Sequence, residues 1–190
     1  ALRDDEIPGI VAQIRQGALN AMAVGFDGVE VHGANGYLLD QFLRSSTNRR
    51  TDDYGGTVDR RARLLFEVIE AVISVWGANR VGLRLSPVSR FNDIRDDDLQ
   101  STYDHVARRA TALGLAYLHV IEGEAGADAA LLQPFDYGRL RSAFAGPYMA
   151  NCGYDRARAI AAIDSGAADL ISFGKDFISS PDLVERLKRN

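Results

Sequence analysis

Val31-His32-Gly33-Ala34-Asn35-Gly36-Tyr37 follows a short apolar run and leads into residues with helical spacing. This stretch presents an imidazole, a carboxamide and a phenol close together, and its two glycines allow the backbone to turn tightly between them. Polar groups that converge at the C-terminal end of a buried strand are how a β/α barrel builds a reactive site. The stretch therefore predicts a strand, a chemically active loop and a helix, in that order.

The same alternation of strand and helix runs through the rest of the chain. Short apolar runs flanked by Gly, Asp or Asn predict strands over Gly28–His32, Val81–Ser86, Ala116–Ile121, Pro147–Asn151 and Asp169–Phe173. Periodic apolar positions predict helices over Glu6–Val24, from Thr57 as N-cap through Val72, over Asp97–Leu113, over Asp155–Ser165, and over Ser180–Lys188 with Ser180-Pro181 as its N-cap and first turn. Strands that alternate with helices indicate a parallel sheet.

Two parallel architectures compete, an open doubly wound sheet and a TIM (β/α)8 barrel. An open sheet concentrates its ligand at one switch point, usually behind a glycine-rich first turn, and no G-x-G-x-x-G occurs here. Candidate polar residues instead follow several strands, which favours the α/β barrel. Such a barrel has eight strands and typically about 250 residues.

The last two predicted loops locate the chain within that barrel. Asn151-Cys152-Gly153-Tyr154 and Gly174-Lys175-Asp176 combine small residues, a following helix and a lysine, which suits a phosphate. Barrels commonly build phosphate sites after strands seven and eight. We therefore expect residues 1–190 to form a single domain that supplies about strands 4 to 8, with strands 1 to 3 absent from the chain.

Composition limits the class of protein. The content of 46% hydrophobic and 25% charged residues is typical of a soluble globular domain, and the net charge of −4 argues against a nucleic-acid partner. No apolar run approaches the roughly 20 residues of a membrane span. One cysteine and no secretory signal predict a cytoplasmic, reducing environment. The acids Glu122 and Glu124 have no His or Cys beside them, so no metal site is predicted.

Arg84 is the one charged residue inside its apolar strand run. Alternation places it on the same face as Gly82 and Ser86, toward the barrel interior. A buried guanidinium needs an anionic or strongly accepting partner. From the residues alone, that partner is either a ligand or a core carboxylate such as Glu30. His119 lies on another strand and is assigned no role.

Several stretches, in order along nearly the whole chain, resemble the Old Yellow Enzyme family of FMN-dependent ene-reductases. They are His32-Gly33-Ala34-Asn35-Gly36-Tyr37-Leu38-Leu39, Asn48-Arg49-Arg50-Thr51-Asp52-Asp53-Tyr54-Gly55-Gly56, Arg60-Arg61-Ala62-Arg63-Leu64, Gly82-Leu83-Arg84-Leu85-Ser86-Pro87, and Phe173-Gly174-Lys175-Asp176-Phe177 with Pro181-Asp182-Leu183. The resemblance implies the C-terminal part of that family's barrel.

It also implies a reaction in which NADPH or NADH reduces FMN, and the flavin then gives hydride to an activated alkene. By resemblance, His32 and Asn35 bind the carbonyl or nitro oxygen of the substrate, where two donors stabilise developing negative charge. Tyr37 resembles the proton donor, because a phenol stays protonated at neutral pH and can yield its proton to a carbanion. Arg84 would contact the N1/C2 carbonyl edge of the flavin.

By resemblance, Asn151, Cys152, Gly153, Gly174 and Lys175 complete the FMN site. The family usually has glycine in place of Cys152 and arginine in place of Lys175. Cysteine can still offer its N–H if the backbone there avoids positive φ, and lysine keeps the charge but loses bidentate contact.

Three readings of the function stay open. The first is an ene-reductase that accepts enones, maleimides or nitro compounds. The second, a dienoyl-CoA reductase, would carry an iron–sulfur cysteine cluster, which a single cysteine cannot supply. The third is a non-catalytic half of a split or permuted barrel. Its open sheet edge would need an N-terminal barrel segment or a second copy of the chain.

Overall fold

The computed structural model describes residues 2–123 and 132–189. Its strands are β1 Val29–Gly33, β2 Val81–Leu85, β3 Tyr117–Ile121, β4 Tyr148–Asn151 and β5 Leu170–Ile171. Its α-helices are α1 Ile7–Ala23, α2 Leu38–Leu43, α3 Val58–Arg61, α4 Arg63–Trp76, α5 Leu99–Leu113, α6 Tyr137–Ala143, α7 Arg156–Asp164, α8 Lys175–Ser179 and α9 Leu183–Arg189. Glu124, weighed above as a metal ligand, lies outside the described residues.

The strands form one parallel sheet in the order β1-β2-β3-β4-β5. Each strand pairs with the next one along the chain, with one or more helices between them. A doubly wound sheet would reverse its order at a switch point. The unbroken order is that of consecutive units of a β/α barrel.

The two faces of the sheet differ in chemistry because successive side chains alternate across it. The outer face is aliphatic and buried under the helices, and includes Val31, Leu83, Leu118, Val120 and Ala150. The inner face carries polar side chains, and includes Glu30, His32, Arg84, His119 and Asn151. This alternation places the predicted site residues His32, Arg84 and Asn151 on the inner face of the sheet. The hydrophobic core lies between its outer face and the helices.

Helix α4 shows why the outer layer forms. Its buried residues Leu64, Leu65, Val68, Ile69 and Val72 recur at three- and four-residue spacing along one face. At its C-terminal end, the indole Nε1 of Trp76 donates to the carbonyl of Ala18 in α1 at 3.0 Å. The helix ends at Trp76, and the next residue, Gly77, has a φ of 75° that suits glycine.

Two of the predicted helices differ from the structure near their N-terminal ends. Thr57 occupies an N-cap position, but its side chain makes no capping hydrogen bond, and the expected helix is divided at Ala62 into α3 and α4. The last helix begins at Leu183 instead of Ser180, because Ser180 and Pro181 belong to a preceding turn in which the Ser180 carbonyl accepts from Leu183 N–H. Within the described ranges, no helix has the length and apolar character needed to cross a membrane.

Candidate active site

The loop after β1 brings two of the predicted substrate-side groups into contact. His32 lies near the end of β1 and Tyr37 directly precedes α2, and their ring centroids are 5.7 Å apart. Tyr37 is 52% exposed, so its phenol is open to a ligand. Asn35 lies between them in the left-handed region, at φ 57°. The predicted trio therefore lies within six positions at the C-terminal end of β1, with the side chains of His32 and Tyr37 exposed and Asn35 half-buried.

Backbone hydrogen bonds hold this loop in its shape. Asn35 N–H donates to Ser86 Oγ at 2.7 Å, and Gly36 N–H donates to Asp40 Oδ2 at 3.0 Å. Gly36 has φ 66°, and a Cβ there would lie 2.6 Å from the carbonyl oxygen of Phe91. Only glycine fits, so the loop is bound tightly both to the segment after β2 and to α2.

A buried ion pair lies beneath the loop. Arg44 Nε donates to Asp40 Oδ1 at 2.8 Å, and both side chains are almost fully buried. The remaining Arg44 donors reach the carbonyls of Pro87 at 2.8 Å and Ser86 at 2.6 Å. Tyr103 donates its hydroxyl to Asp40 at 3.1 Å. This pair ties α2, and with it the loop after β1, to the turn after β2.

The environment of His32 keeps its imidazole neutral. Partial burial and the nearby Arg84 guanidinium lower the pKa of His32 below its ordinary value of 6.5. At neutral pH the ring is therefore uncharged, with one N–H donor and one acceptor nitrogen. It can donate a hydrogen bond to a ligand oxygen without placing a cation beside Arg84.

Phe91 is a candidate site residue that was not predicted from the sequence. Its ring lies 6.4 Å from the ring of Tyr37, and it is half exposed. Asn92 next to it donates its side-chain amide to the Asn35 carbonyl at 3.1 Å. An exposed aromatic residue among charged loop residues was the available signal. The segment after β2 therefore places a second exposed aromatic ring beside Tyr37.

Arg84 points to a ligand more clearly than to a core ion pair. Its Nη2 lies 3.4 Å from Asn151 Oδ1, and its Nε is buried without a hydrogen-bond partner among the described residues. Among the described residues, Arg84 forms no ion pair with Glu30, which pairs with His119 instead. A buried donor without an acceptor costs about 1–3 kcal/mol. The flavin carbonyl edge expected from the resemblance would fit it.

The two expected phosphate loops adopt different conformations. Cys152 and Gly153 both have positive φ, 93° and 67°, directly after β4. The condition set for Cys152 from the sequence is therefore not met, and this cysteine occupies backbone that favours glycine, at a cost on the order of 1–3 kcal/mol. Gly174 and Lys175 are exposed at the start of α8. Open space surrounds the position where Gly174 would carry a Cβ.

A second cation, besides Lys175, lies beside the loop that follows β4. Arg158 donates to the Gly153 carbonyl, and its guanidinium lies 5.0 Å over the Tyr154 ring. Asp155 caps the same helix by accepting from Arg158 N–H at 2.8 Å. Sequence reasoning did not select Arg158, although an arginine one turn into the helix after a glycine loop was visible. It adds positive charge where the sequence predicts phosphate.

Known proteins with similar sequences match nearly the whole chain. The chain is 44% identical over 198 residues to putative 12-oxophytodienoate reductase 10 of Oryza sativa subsp. japonica, covering 99% of this chain and 61% of that protein. It is 42% identical over 186 residues to a probable flavin mononucleotide-dependent alkene reductase of Leishmania infantum, covering 98% of this chain and 50% of that protein.

Solved structures agree with these matches. A morphinone reductase structure superposes with a TM-score of 0.94 at 43% identity, covering 99% of this chain and 50% of that one. The old yellow enzyme homologue from Zymomonas mobilis superposes with a TM-score of 0.93 at 41% identity, covering 100% and 54%. The prediction of a β/α barrel segment is confirmed.

The chain spans about half the length of the relatives it matches. A model of the family described as NADH:flavin oxidoreductase / NADH oxidase matches residues 1–190. The resemblance drawn from the His32–Tyr37 loop and the later motifs is confirmed by this match. The chain therefore belongs to the NADH:flavin oxidoreductase / NADH oxidase family, together with the old yellow enzymes.

Proposed function

We propose that this chain supplies the substrate loop and most of the flavin contacts of an FMN-dependent alkene reductase. The observation that carries the proposal is the pairing of His32 on β1 with Arg84 on β2 in the sheet register. It sets a neutral imidazole next to a cation whose Nε has no hydrogen-bond partner within residues 2–123 and 132–189. Substrates would be α,β-unsaturated carbonyl or nitro compounds, with NADPH or NADH as the reductant.

Bound FMN would accept hydride from NAD(P)H and pass it to the β-carbon of the alkene. His32 and Asn35 would donate hydrogen bonds to the carbonyl or nitro oxygen, where negative charge develops as hydride adds. Tyr37 would give its phenolic proton to the α-carbon, so that one hydride and one proton saturate the double bond. Phe91 would pack against the substrate beside Tyr37.

The flavin would be held at two ends. Arg84 would bind its carbonyl edge through the buried Nε. Its phosphate would lie against the backbone of the loop Asn151-Cys152-Gly153 and of Gly174, with Lys175 and Arg158 as cations. Family membership supports this assignment, since relatives are named as flavin-dependent alkene reductases and as old yellow enzymes.

We also propose that a further segment supplies the other barrel strands, so that residues 1–190 are the C-terminal part of one barrel domain. In support, β1 pairs only with β2 among the described strands. Beside it lies a groove of 360 Å³ whose apolar lining includes Ile14, Ala18, Val31, Val68 and Val72. An N-terminal segment or a second copy would cover it. "Completed barrel" below means this chain together with that segment. We further propose that the protein works in the reducing cytoplasm, as its single cysteine predicts.

Replacing Arg84 tests the flavin assignment. In the completed barrel, Arg84→Met is expected to weaken FMN binding about 10- to 100-fold, because a hydrogen bond from a charged group contributes about 1.5–3 kcal/mol. Arg84→Lys keeps the charge, so its affinity for FMN should lie between those of Arg84→Met and the unsubstituted protein. FMN fluorescence quenching measures the dissociation constants.

Arg15→Met is the matched control, since Arg15 lies on the outer helix α1 and its guanidinium bonds Ser74. Its FMN affinity should equal that of the unsubstituted protein. Equal affinity for Arg84→Met as well would contradict the assignment of Arg84. A completed barrel that binds no FMN at all would support the alternative of a non-catalytic barrel half.

A further inference from the structure

A chain of polar side chains crosses the inner face of the sheet and ends at Arg84. Glu30 Oε2 lies 2.9 Å from His119 Nδ1, and His119 Nε2 lies 2.8 Å from Ser172 Oγ. Ser172 Oγ also accepts from Asn151 Nδ2 at 2.9 Å, and Asn151 Oδ1 faces Arg84 at 3.4 Å. Each strand thus has one member of the chain on it or, for Ser172, directly after it.

The donors and acceptors fix a direction along this chain. A carboxylate can only accept, so His119 Nδ1 carries the hydrogen that bonds Glu30. Burial alone would raise the pKa of Glu30, but the interactions with His119, the hydrogen bond from Tyr117 and the charge of Arg84 together hold the pKa below its usual value. His119 itself is buried. Its ring is therefore held at both nitrogens, in a single orientation.

The same reasoning fixes the amide of Asn151. Its Nδ2 donates both to the Ser172 carbonyl at 3.0 Å and to the Ser172 hydroxyl at 2.9 Å. With both amide hydrogens committed, the oxygen Oδ1 must face Arg84. A flipped amide would present N–H groups to the guanidinium and would leave the Ser172 hydroxyl facing another acceptor.

We propose that Glu30, His119 and Ser172 are positioning residues that orient Asn151 and, through it, the Arg84 guanidinium for FMN. The inference rests on the proposed function, because Arg84 is taken to bind the flavin edge. In metal sites, mutation of the residues that orient the ligands typically lowers the affinity for the metal 10- to 100-fold, and we use this range as a guide here. Since the Arg84–Asn151 contact is long, we expect the lower end of that range here.

Ser172→Ala in the completed barrel tests the proposal. Removal of the hydroxyl breaks the link between His119 and Asn151, and FMN binding is expected to weaken about tenfold. The flavin midpoint potential should also fall, since a displaced Arg84 stabilises the negative charge of reduced flavin less. Ser172→Thr keeps a hydroxyl and should bind FMN within about threefold of the unsubstituted protein. Ser165→Ala, at the exposed end of α7, is the matched control and should change neither quantity.

An FMN-free readout separates this inference from the proposed function. In the completed barrel without flavin, the ¹⁵N resonance of Arg84 Nε should shift in the Ser172→Ala variant. It should keep its position in the Ser165→Ala variant. An unchanged Arg84 resonance would overturn the positioning role, whether or not FMN binds. Equal FMN affinity and potential in Ser172→Ala and the unsubstituted protein would overturn it as well. Failure of the unsubstituted completed barrel to bind FMN would instead contradict the proposed function.

Discussion

Arg44→Met is expected to lower the free energy of unfolding by about 3–5 kcal/mol, the range for breaking a buried ion pair. Arg44 and Asp40 are 1% and 0% exposed, so no water replaces the lost bonds. Loss of the guanidinium also leaves the carbonyls of Ser86 and Pro87 without these donors. Methionine restores much of the volume, so the loss reflects the unpaired carboxylate more than a cavity.

Urea unfolding followed by circular dichroism measures this effect. Arg63→Met is the matched control: Arg63 also pairs with an acid four residues away, Glu67, but its side chain is 46% exposed. An exposed pair of that kind contributes about 0.3–0.5 kcal/mol. A loss below about 1 kcal/mol in Arg44→Met would show that the buried pair does not hold the loops together.

Tyr37→Phe is expected to slow alkene reduction about 10²- to 10⁴-fold and to leave reduction of FMN by NADPH within about twofold. The range is that of a positioned general acid, and phenylalanine removes only the hydroxyl. The ring contacts with His32 and Phe91 would be retained, since both involve the ring itself. The fold and the flavin site should therefore be unchanged.

Anaerobic stopped-flow absorbance of the flavin in the completed barrel separates the two half-reactions. Tyr54→Phe is the control, because the Tyr54 hydroxyl bonds Glu67 on the outer helix α4, away from the β1 loop. It should leave both rates unchanged. Equal slowing of both half-reactions in Tyr37→Phe would exclude the proton-donor role and indicate a general defect in the site.

The strand–helix order could be predicted from the sequence because local patterns encode it. Apolar runs such as Val81–Leu85 and the spacing in α4 depend on residues close together in the chain. Each end of the five predicted strands lies within two residues of the corresponding end in the structure. The loop of His32, Asn35 and Tyr37 was found for the same reason, since its members lie within six positions.

The remaining features depend on contacts between residues far apart in sequence. His119 was assigned no role because its partners Glu30 and Ser172 lie 89 and 53 positions away. Arg44 reaches Pro87 across 43 positions, and no local pattern marks that contact. The positive φ of Cys152 contradicts the preference of its own side chain. Tertiary structure sets these features, and only the fold reveals them.

A spectrum of the completed barrel through one catalytic cycle tests the central claim most directly. Purified with FMN under anaerobic conditions, the protein should show the yellow colour of oxidised flavin, bleach on addition of NADPH, and regain its absorbance when 2-cyclohexen-1-one is added. Recovery of the colour with one equivalent of saturated ketone formed is the result that the assigned roles of Arg84, His32, Asn35 and Tyr37 predict. A flavin that bleaches with NADPH but is not reoxidised by enones, maleimides or nitroalkenes would contradict them.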